Sequence, residues 1–361
     1  MQRVNLAALG WSPTFDSRFQ ALKGDDLVPG RVVGVERTVF RVQTERGVAA
    51  ATLAGRFRHE QPRPQQTPTV GDWVAVTPVD GGSKAVLKHV LERRTSLSRV
   101  SRSGRDPATS TASEQLLAAN VDYVFVVTAL DQDFSVRRIE RYLAAVTSGG
   151  AKPVVVLNKA DLCDDVPGYR YRVNAVAPGV PVHALSTLEA ATLGELAAYL
   201  GEGVTVALIG SSGVGKSTLV NRLLGAEAAP TGAVRAGDER GRHTTTWREL
   251  FVLPGGGVLI DNPGLREIGA WSSDVGGGFA DIAELALSCA YRDCAHAREP
   301  GCAVRAAVES GALDAKRLEN CLRLVGESER VAAWTSEGER RRREGRARRA
   351  RIKGARRAKG L

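Results

Sequence analysis

Gly210-Ser211-Ser212-Gly213-Val214-Gly215-Lys216-Ser217 is the stretch that decides the fold, because it fits G-x-x-x-x-G-K-S at every fixed position. Residues 204–209, an apolar run, precede it, and residues 216–224 carry a helical pattern. Strand, glycine loop and helix are the context this motif requires. The glycines let backbone N–H groups turn inward around phosphate, at a helix N-terminus whose dipole favours an anion. Residues Gly210, Ser211, Ser212, Gly213, Val214, Gly215, Lys216, Ser217 and Thr218 are therefore expected to cradle a nucleotide's phosphates. Lys216 is expected to neutralise the β- and γ-phosphates during catalysis, and the Ser217 hydroxyl to ligate Mg²⁺.

Upstream, Asn158-Lys159-Ala160-Asp161 follows a second apolar run, residues 153–157. A carboxylate in the plane of the base can accept from both N1–H and the exocyclic amine of guanine, a donor pair that adenine lacks. Asp161 is thus the expected specificity residue, Asn158 the support for base and loop, and the Lys159 stem a cover for the ring. N-K-x-D alone reads equally well as a turn capped by Asp161; beside a phosphate loop in the same sheet it becomes specific. Ser186, in Ala184-Leu185-Ser186, is the candidate for a further loop that closes on the base.

Downstream, Asp261-Asn262-Pro263-Gly264 fits D-x-x-G, with Asp261 placed for Mg²⁺ and the Gly264 N–H for a γ-phosphate. Between this motif and the phosphate loop lies Gly241-Arg242-His243-Thr244-Thr245-Thr246, without apolar periodicity; Thr245 is the expected second hydroxyl ligand of Mg²⁺. The motif order is base, phosphate loop, switches, whereas ordinary small GTPases place the base motif last. The domain is therefore read as circularly permuted, with its second switch leading directly into the segment that follows. Leu265 occupies the position after the D-x-x-G glycine, where a glutamine orients the attacking water in small GTPases. Leucine cannot do that. His243 lies two residues before Thr245, and an imidazole can orient or deprotonate water near neutral pH. It is the expected catalytic group; Arg242 as a charge stabiliser, or a group supplied by a partner, are the alternatives.

Strand-like and helix-like stretches alternate around these motifs, as in an α/β domain with a mostly parallel sheet. Helices are expected over residues 136–146, 188–200 and 216–224. Before it, residues 31–35, 39–43, 48–53, 73–77 and 84–91 read as five short strands, suited to a small closed barrel of OB type, with a generic SH3-like barrel that has no nucleic-acid role as the alternative. The expected order is an irregular arm (1–26), an OB-like β-barrel (27–100) and a permuted P-loop GTPase domain (101–275). A metal-binding helical segment (276–330) and a basic tail (331–361) complete it. Residues 101–113, polar and rich in Ser, Thr, Gly and Arg, read as a linker.

Of the net charge of +10, the stretch 340–359 alone carries +11, twelve Lys or Arg against Glu344, so the rest is near −1. A tail of that kind suits phosphate-rich partners through counterion release. There is no signal-peptide pattern and no apolar run of membrane-spanning length, so the expected compartment is the cytoplasm. Of the five cysteines, Cys289, Cys294 and Cys302 lie within fourteen residues together with His296. Three thiolates and an imidazole make a closed tetrahedral set for one structural zinc ion. Cys321 is the possible substitute ligand, and Cys163 is expected to be inert.

Taken together, these residues resemble one family, the bacterial ribosome small-subunit-dependent GTPase A family. The matching pieces are NKAD (158–161), GSSGVGKST (210–218), GRHTTT (241–246), DNPG (261–264) and Cys-x₄-Cys-x-His-x₅-Cys (289–302). The resemblance spans about residues 27–325. It implies GTP binding and Mg²⁺-dependent hydrolysis stimulated by the small (30S) ribosomal subunit, contact with its rRNA, and a role in that subunit's late maturation. It also implies zinc on Cys289, Cys294, His296 and Cys302, in a monomer that needs no membrane. Two departures stand out: Asn262 where the family usually has Thr, and Thr187 after Ser186 where Ala is usual. Two rivals are an RNA-binding switch that holds GTP or GDP and barely hydrolyses it, and a P-loop kinase or ATPase with a fortuitous N-K-x-D.

Overall fold

The computed structural model describes residues 4–22, 24, 26–36, 38–55, 67–103, 111–225, 248–261, 278–330 and 333. The expected arm is not irregular. Residues Ala7–Leu9 form a 3-10 turn and α1 covers Pro13–Gln20, with Pro at its first position. Trp11, Phe15 and Phe19, four residues apart, make one apolar face; Trp11 meets Trp73 edge to face and Phe15 meets it tilted, with centroids 4.8 and 5.8 Å away. A helix this short is marginal by itself; burial of Phe15, worth about 2–3 kcal/mol, holds it.

Five strands follow: β1 (Val28–Glu36), β2 (Val39–Thr44), β3 (Gly47–Leu53), β4 (Trp73–Val79) and β5 (Lys84–Val90). They pair in the order β1-β2-β3-β5-β4 and close through β1–β4, with only β3–β5 parallel. This is the expected OB-like barrel. Alternation makes its core: Phe40 and Val42 of β2 face Val32, Ala49, Ala51, Val74, Val76, Ala85 and Leu87.

Within the stretch expected to be a linker, residues 101–103 and 111–113 are paired strand. β6 (Ser96–Ser103) pairs antiparallel with β7 (Thr111–Ala119), so Ser101 faces Ser113 across a ladder. Backbone pairing needs no apolar side chains, which is why polarity misleads here.

The second half contains β8 (Tyr123–Ala129), α2 (Val136–Ser148), β9 (Lys152–Asn158), α3 (Val166–Asn174), β10 (Val182–Ala184), β11 (Thr205–Ile209), α4 (Lys216–Leu224), β12 (Arg248–Val252) and β13 (Val258–Asp261). Their order in the sheet is β10-β9-β8-β11-β13-β12, parallel except for β12. The expected helix over 188–200 is instead a run of 3-10 turns, Ala190–Tyr199. Its apolar residues explain the change: Leu193, Leu196 and Tyr199 recur every third position and pack on the sheet together. β10 and β12, three and five residues long, gave no sequence signal.

The barrel and this sheet are continuous. β12 pairs with β1 (Gly34 opposite Glu249, Val35 opposite Arg248), making one eleven-stranded sheet, and Arg41 bridges Glu249 at 2.9 Å across the seam. Gly71, at φ 90°, sits in the joint, where a Cβ would collide with the Ala119 carbonyl.

Beyond residue 278 come α5 (Ala280–Ala286), α6 (Ala303–Glu309) and α7 (residues 315–330). Within the helical segment expected over 276–330, α6 and α7 are separated at Gly311 (φ 78°), and Asp314 caps the restart by accepting the Lys316 N–H at 2.9 Å. No described helix is long and apolar enough to cross a membrane.

Candidate nucleotide site and metal centre

Parallel pairing brings the C-terminal ends of β9, β8, β11 and β13 to one edge, the place where open α/β sheets bind ligands. Asn158 ends β9, Gly210 follows β11 and Asp261 ends β13, so three motifs far apart in sequence meet there. Asn158 is the junction. Its amide donates to the Val214 carbonyl at 2.7 Å, and its carbonyl accepts from the Thr187 N–H at 3.0 Å. One buried side chain thereby ties base motif, phosphate loop and the 186–188 loop together. Gly215, at φ 95°, caps α4, and a Cβ there would collide with the Asn158 amide. That contact explains the glycine before Lys216.

The Lys216 ammonium lies over the loop, donating to the Gly210 carbonyl at 2.7 Å and to the Ser211 carbonyl. Lys159 is held at φ 62° and bridges Asp131 at 2.8 Å, while Asp161 faces solvent on a 3-10 turn, Ala160–Leu162. Ser186 is buried, and its hydroxyl accepts from the Leu188 N–H at 3.2 Å. The departure at Thr187 therefore costs no loop contact: the backbone, not the side chain, meets Asn158. Arg242, His243, Thr245, Asn262, Gly264 and Leu265 lie outside the described residues, as does nearly all of the basic tail.

Sequence reasoning missed Asp131, Asp133 and Arg138. The Lys159 hydrogen bond holds the Asp131 carboxyl below its usual range, and Arg138 does the same for Asp133. Their position just after β8, at the ligand-binding edge of the sheet, was the available signal.

Cys289, Cys294, His296 and Cys302 converge, all four ligand atoms lying within 4.8 Å of one another. Cys289 and Cys302 sulfurs are 3.9 Å apart, and the His296 Nδ1 lies 3.7 and 3.5 Å from them. Sulfurs bound tetrahedrally to zinc at about 2.3 Å stand roughly 3.8 Å apart, so the set fits that ion. Burial opposes ionisation of Cys289, but the N–H groups of Val304 and Ala303 and the neighbouring thiols outweigh it and the net shift is downward. Cys294 is pushed up to about 11, by burial first. Cys321 stands apart from the set, in the apolar core with Phe279, Ile282 and Leu324, and burial pushes its thiol up to about 11.

A family model described as RsgA GTPase matches residues 90–271. The small ribosomal subunit biogenesis GTPase RsgA of Opitutus terrae is 44% identical over 325 residues, covering 87% of each chain. Its counterpart of the same name from Streptomyces coelicolor is 45% identical over 337 residues, 91% of this chain and 88% of that one. The structure of YjeQ from Thermotoga maritima superposes with a TM-score of 0.62 at 28% identity, covering 84% of this chain and 98% of that chain. YloQ, described as a circularly permuted GTPase, shares the fold with a TM-score of 0.59 at 24% identity, covering 86% and 98%. Identity over nearly the whole length, and a base motif that precedes the phosphate loop in one sheet, lead to the same conclusion: the chain belongs to the RsgA family of circularly permuted GTPases and is a GTP hydrolase.

Proposed function

We propose that this GTPase is a switch in the late maturation of the small ribosomal subunit, working in the cytoplasm and contacting the subunit's rRNA. The observation that carries this reading is the Asn158 junction, which links base motif and phosphate loop in a chain over 40% identical to small ribosomal subunit biogenesis GTPases. Asp161 reads guanine, Asn158 and Lys159 frame it with the backbone of Ala160 and the Ser186 loop, and residues 210–218 hold the phosphates, with Lys216 on the β/γ side. The oxygen donors Ser217, Asp261 and Thr245 suit Mg²⁺, and the pairing of β11 with β13 supports the first two acting together. Mg²⁺ supplies charge neutralisation on the phosphate oxygens. The Gly264 N–H senses the γ-phosphate, and His243 orients the water that Leu265 cannot. One structural zinc ion on Cys289, Cys294, His296 and Cys302 shapes the segment that meets the subunit, and the basic tail adds affinity for rRNA.

The base reading is tested with Asp161→Asn. GTP binding weakens and xanthosine triphosphate binding improves, because the 2-oxo group then faces an amide donor; sites built to pair such groups discriminate by several kcal/mol, about 10⁴-fold at the upper end. Unchanged GTP affinity removes Asp161 from the site.

A further inference from the structure

Between β8 and α2 a short loop touches both nucleotide motifs. Asp131 bridges Lys159 of the base motif at 2.8 Å. Arg138, on the first turn of α2, pairs with Asp133 at 2.6 and 3.1 Å and donates to the hydroxyl of Ser211 in the phosphate loop. The carbonyl of the same Ser211 accepts from the Lys216 ammonium. Ser211 is therefore gripped from two sides, by Arg138 on its side chain and by Lys216 on its backbone. The guanidinium holds the carboxylate with two nitrogens while one of them also reaches the Ser211 hydroxyl; an ammonium, a single point charge, can keep only part of that set. With Asp133 neutralising it, Arg138 does not compete for the nucleotide's charge.

The opposite face of α2 belongs to the C-terminal segment. Ala144 is buried in the apolar core of α5, α6 and α7. Glu140, two residues beyond Arg138, pairs with Arg317 of α7 at 2.6 Å, with both side chains nearly inaccessible, and accepts from Asn320. Arg137 bridges Glu319 at 3.4 Å. One helix is thus the common wall of the phosphate loop and the metal-bearing segment.

We infer that Arg138 is a positioning residue of the phosphate loop, and that α2 relays the seating of the metal-bearing segment to the nucleotide through Glu140 and Arg317. This rests on the phosphate-loop reading above. Lys216 is set by the carbonyls it leans on, so release of Ser211 loosens the lysine. By reciprocity, a partner that shifts α7 changes nucleotide affinity, and nucleotide changes affinity for that partner.

The test is release of fluorescent GDP from the full-length, zinc-loaded chain. Ser211→Ala speeds release about five- to tenfold, the scale of a partly exposed charged hydrogen bond. Arg138→Met does at least as much, Arg138→Lys restores part of the loss, and the double variant releases no faster than Arg138→Met alone. Glu140→Gln speeds release in the parent and has no effect beside Arg138→Met. Release at the parent rate in Ser211→Ala, or effects that multiply in the double variant, overturns the positioning role. An equal effect of Glu140→Gln with and without Arg138 overturns the relay. Lys216→Ala is the control that separates the two readings: if nucleotide still binds it tightly, the phosphate-loop assignment fails and not merely this inference.

Discussion

Two buried arginines join the GTPase sheet to its neighbours, and they do so with opposite chemistry. Arg31, on the barrel side, is 1% exposed and donates only to neutral acceptors: the carbonyls of Leu9, Gly71 (3.3 Å) and Asn120 (3.3 Å) and the Thr205 hydroxyl (2.9 Å). Burial pushes its pKa down to about 10. Arg317, on the metal side, is 5% exposed and lies between Glu140 and Asp281, at 2.6 and 2.7 Å. Burial pulls it down too, but the two carboxylates, Asp281 first, more than reverse that. Carbonyls and a hydroxyl do not titrate in any ordinary range, and the barrel joint is further sewn by the β1–β12 ladder. The carboxylates of the other joint can take protons or trade partners. The sheet therefore has one welded neighbour and one that can be switched.

The largest effect expected from this contrast is at the weld. Arg31→Met takes a donor from four interior acceptors, of which the Gly71 carbonyl keeps the Asn120 amide at 3.1 Å, and costs about 3–5 kcal/mol of unfolding free energy. The loss, measured by urea unfolding, varies less with pH than the loss at the metal-side joint, because the orphaned acceptors do not titrate and only the charge of buried Asp72, which Arg31 helps to hold down, depends on pH there. A loss that varies with pH as much as that at Arg317 removes the distinction between the joints.

Arg317→Met is expected to cost less, about 2–3 kcal/mol near neutral pH, and to depend on pH. Burial already pushes Glu140 above its ordinary 4.5, and without Arg317 it rises further. Below pH 4.5 the orphan is protonated in both folded and unfolded chains, so the gap to the parent narrows as pH falls; it widens as pH rises through the folded value. The parent shows its own acid limit. Burial would raise Asp281, but Arg317 holds it below its ordinary 3.8. That stability is present above about pH 3.8 and is lost as pH falls through the lower folded value. A pH-independent gap contradicts the ionic account of this joint.

The weld and the relay were both illegible in the sequence, for one reason. Arg31 meets Thr205 across 174 positions and Arg317 meets Glu140 across 177, and polar pairs at such separations leave no local pattern. The phosphate loop was legible because its chemistry is local: Gly213 and Gly215 need positive φ, and the helix that follows needs an anion at its start. The Cys₃His cluster was legible because fourteen residues confine it. α1 and the β6–β7 ribbon fell between these cases. Their form depends on packing against Trp73 and on backbone pairing, neither of which a short polar stretch announces.

The smallest effect on the main unfolding transition is expected from the metal. Cys294→Ala with His296→Ala loses about one equivalent of zinc per chain, and limited proteolysis then attacks the segment from residue 278 onward first. Barrel and GTPase sheet keep their cooperative transition, because the weld does not involve that segment. Full zinc content in the double variant points to Cys321 as a substitute ligand and to a different packing of α7.

We propose a GTP hydrolase that answers to the small ribosomal subunit and uses its own His243 to place the attacking water. The direct measurement is GTP turnover by the full-length chain, with and without purified small subunits, in the parent and in His243→Ala. Turnover by the parent is expected to rise when subunits are added. In the variant that rise falls by about 10²-fold or more, with GTP affinity and subunit binding intact. Parent turnover that ignores the subunit contradicts the switch, and a variant stimulated like the parent contradicts His243 as the group that places the water.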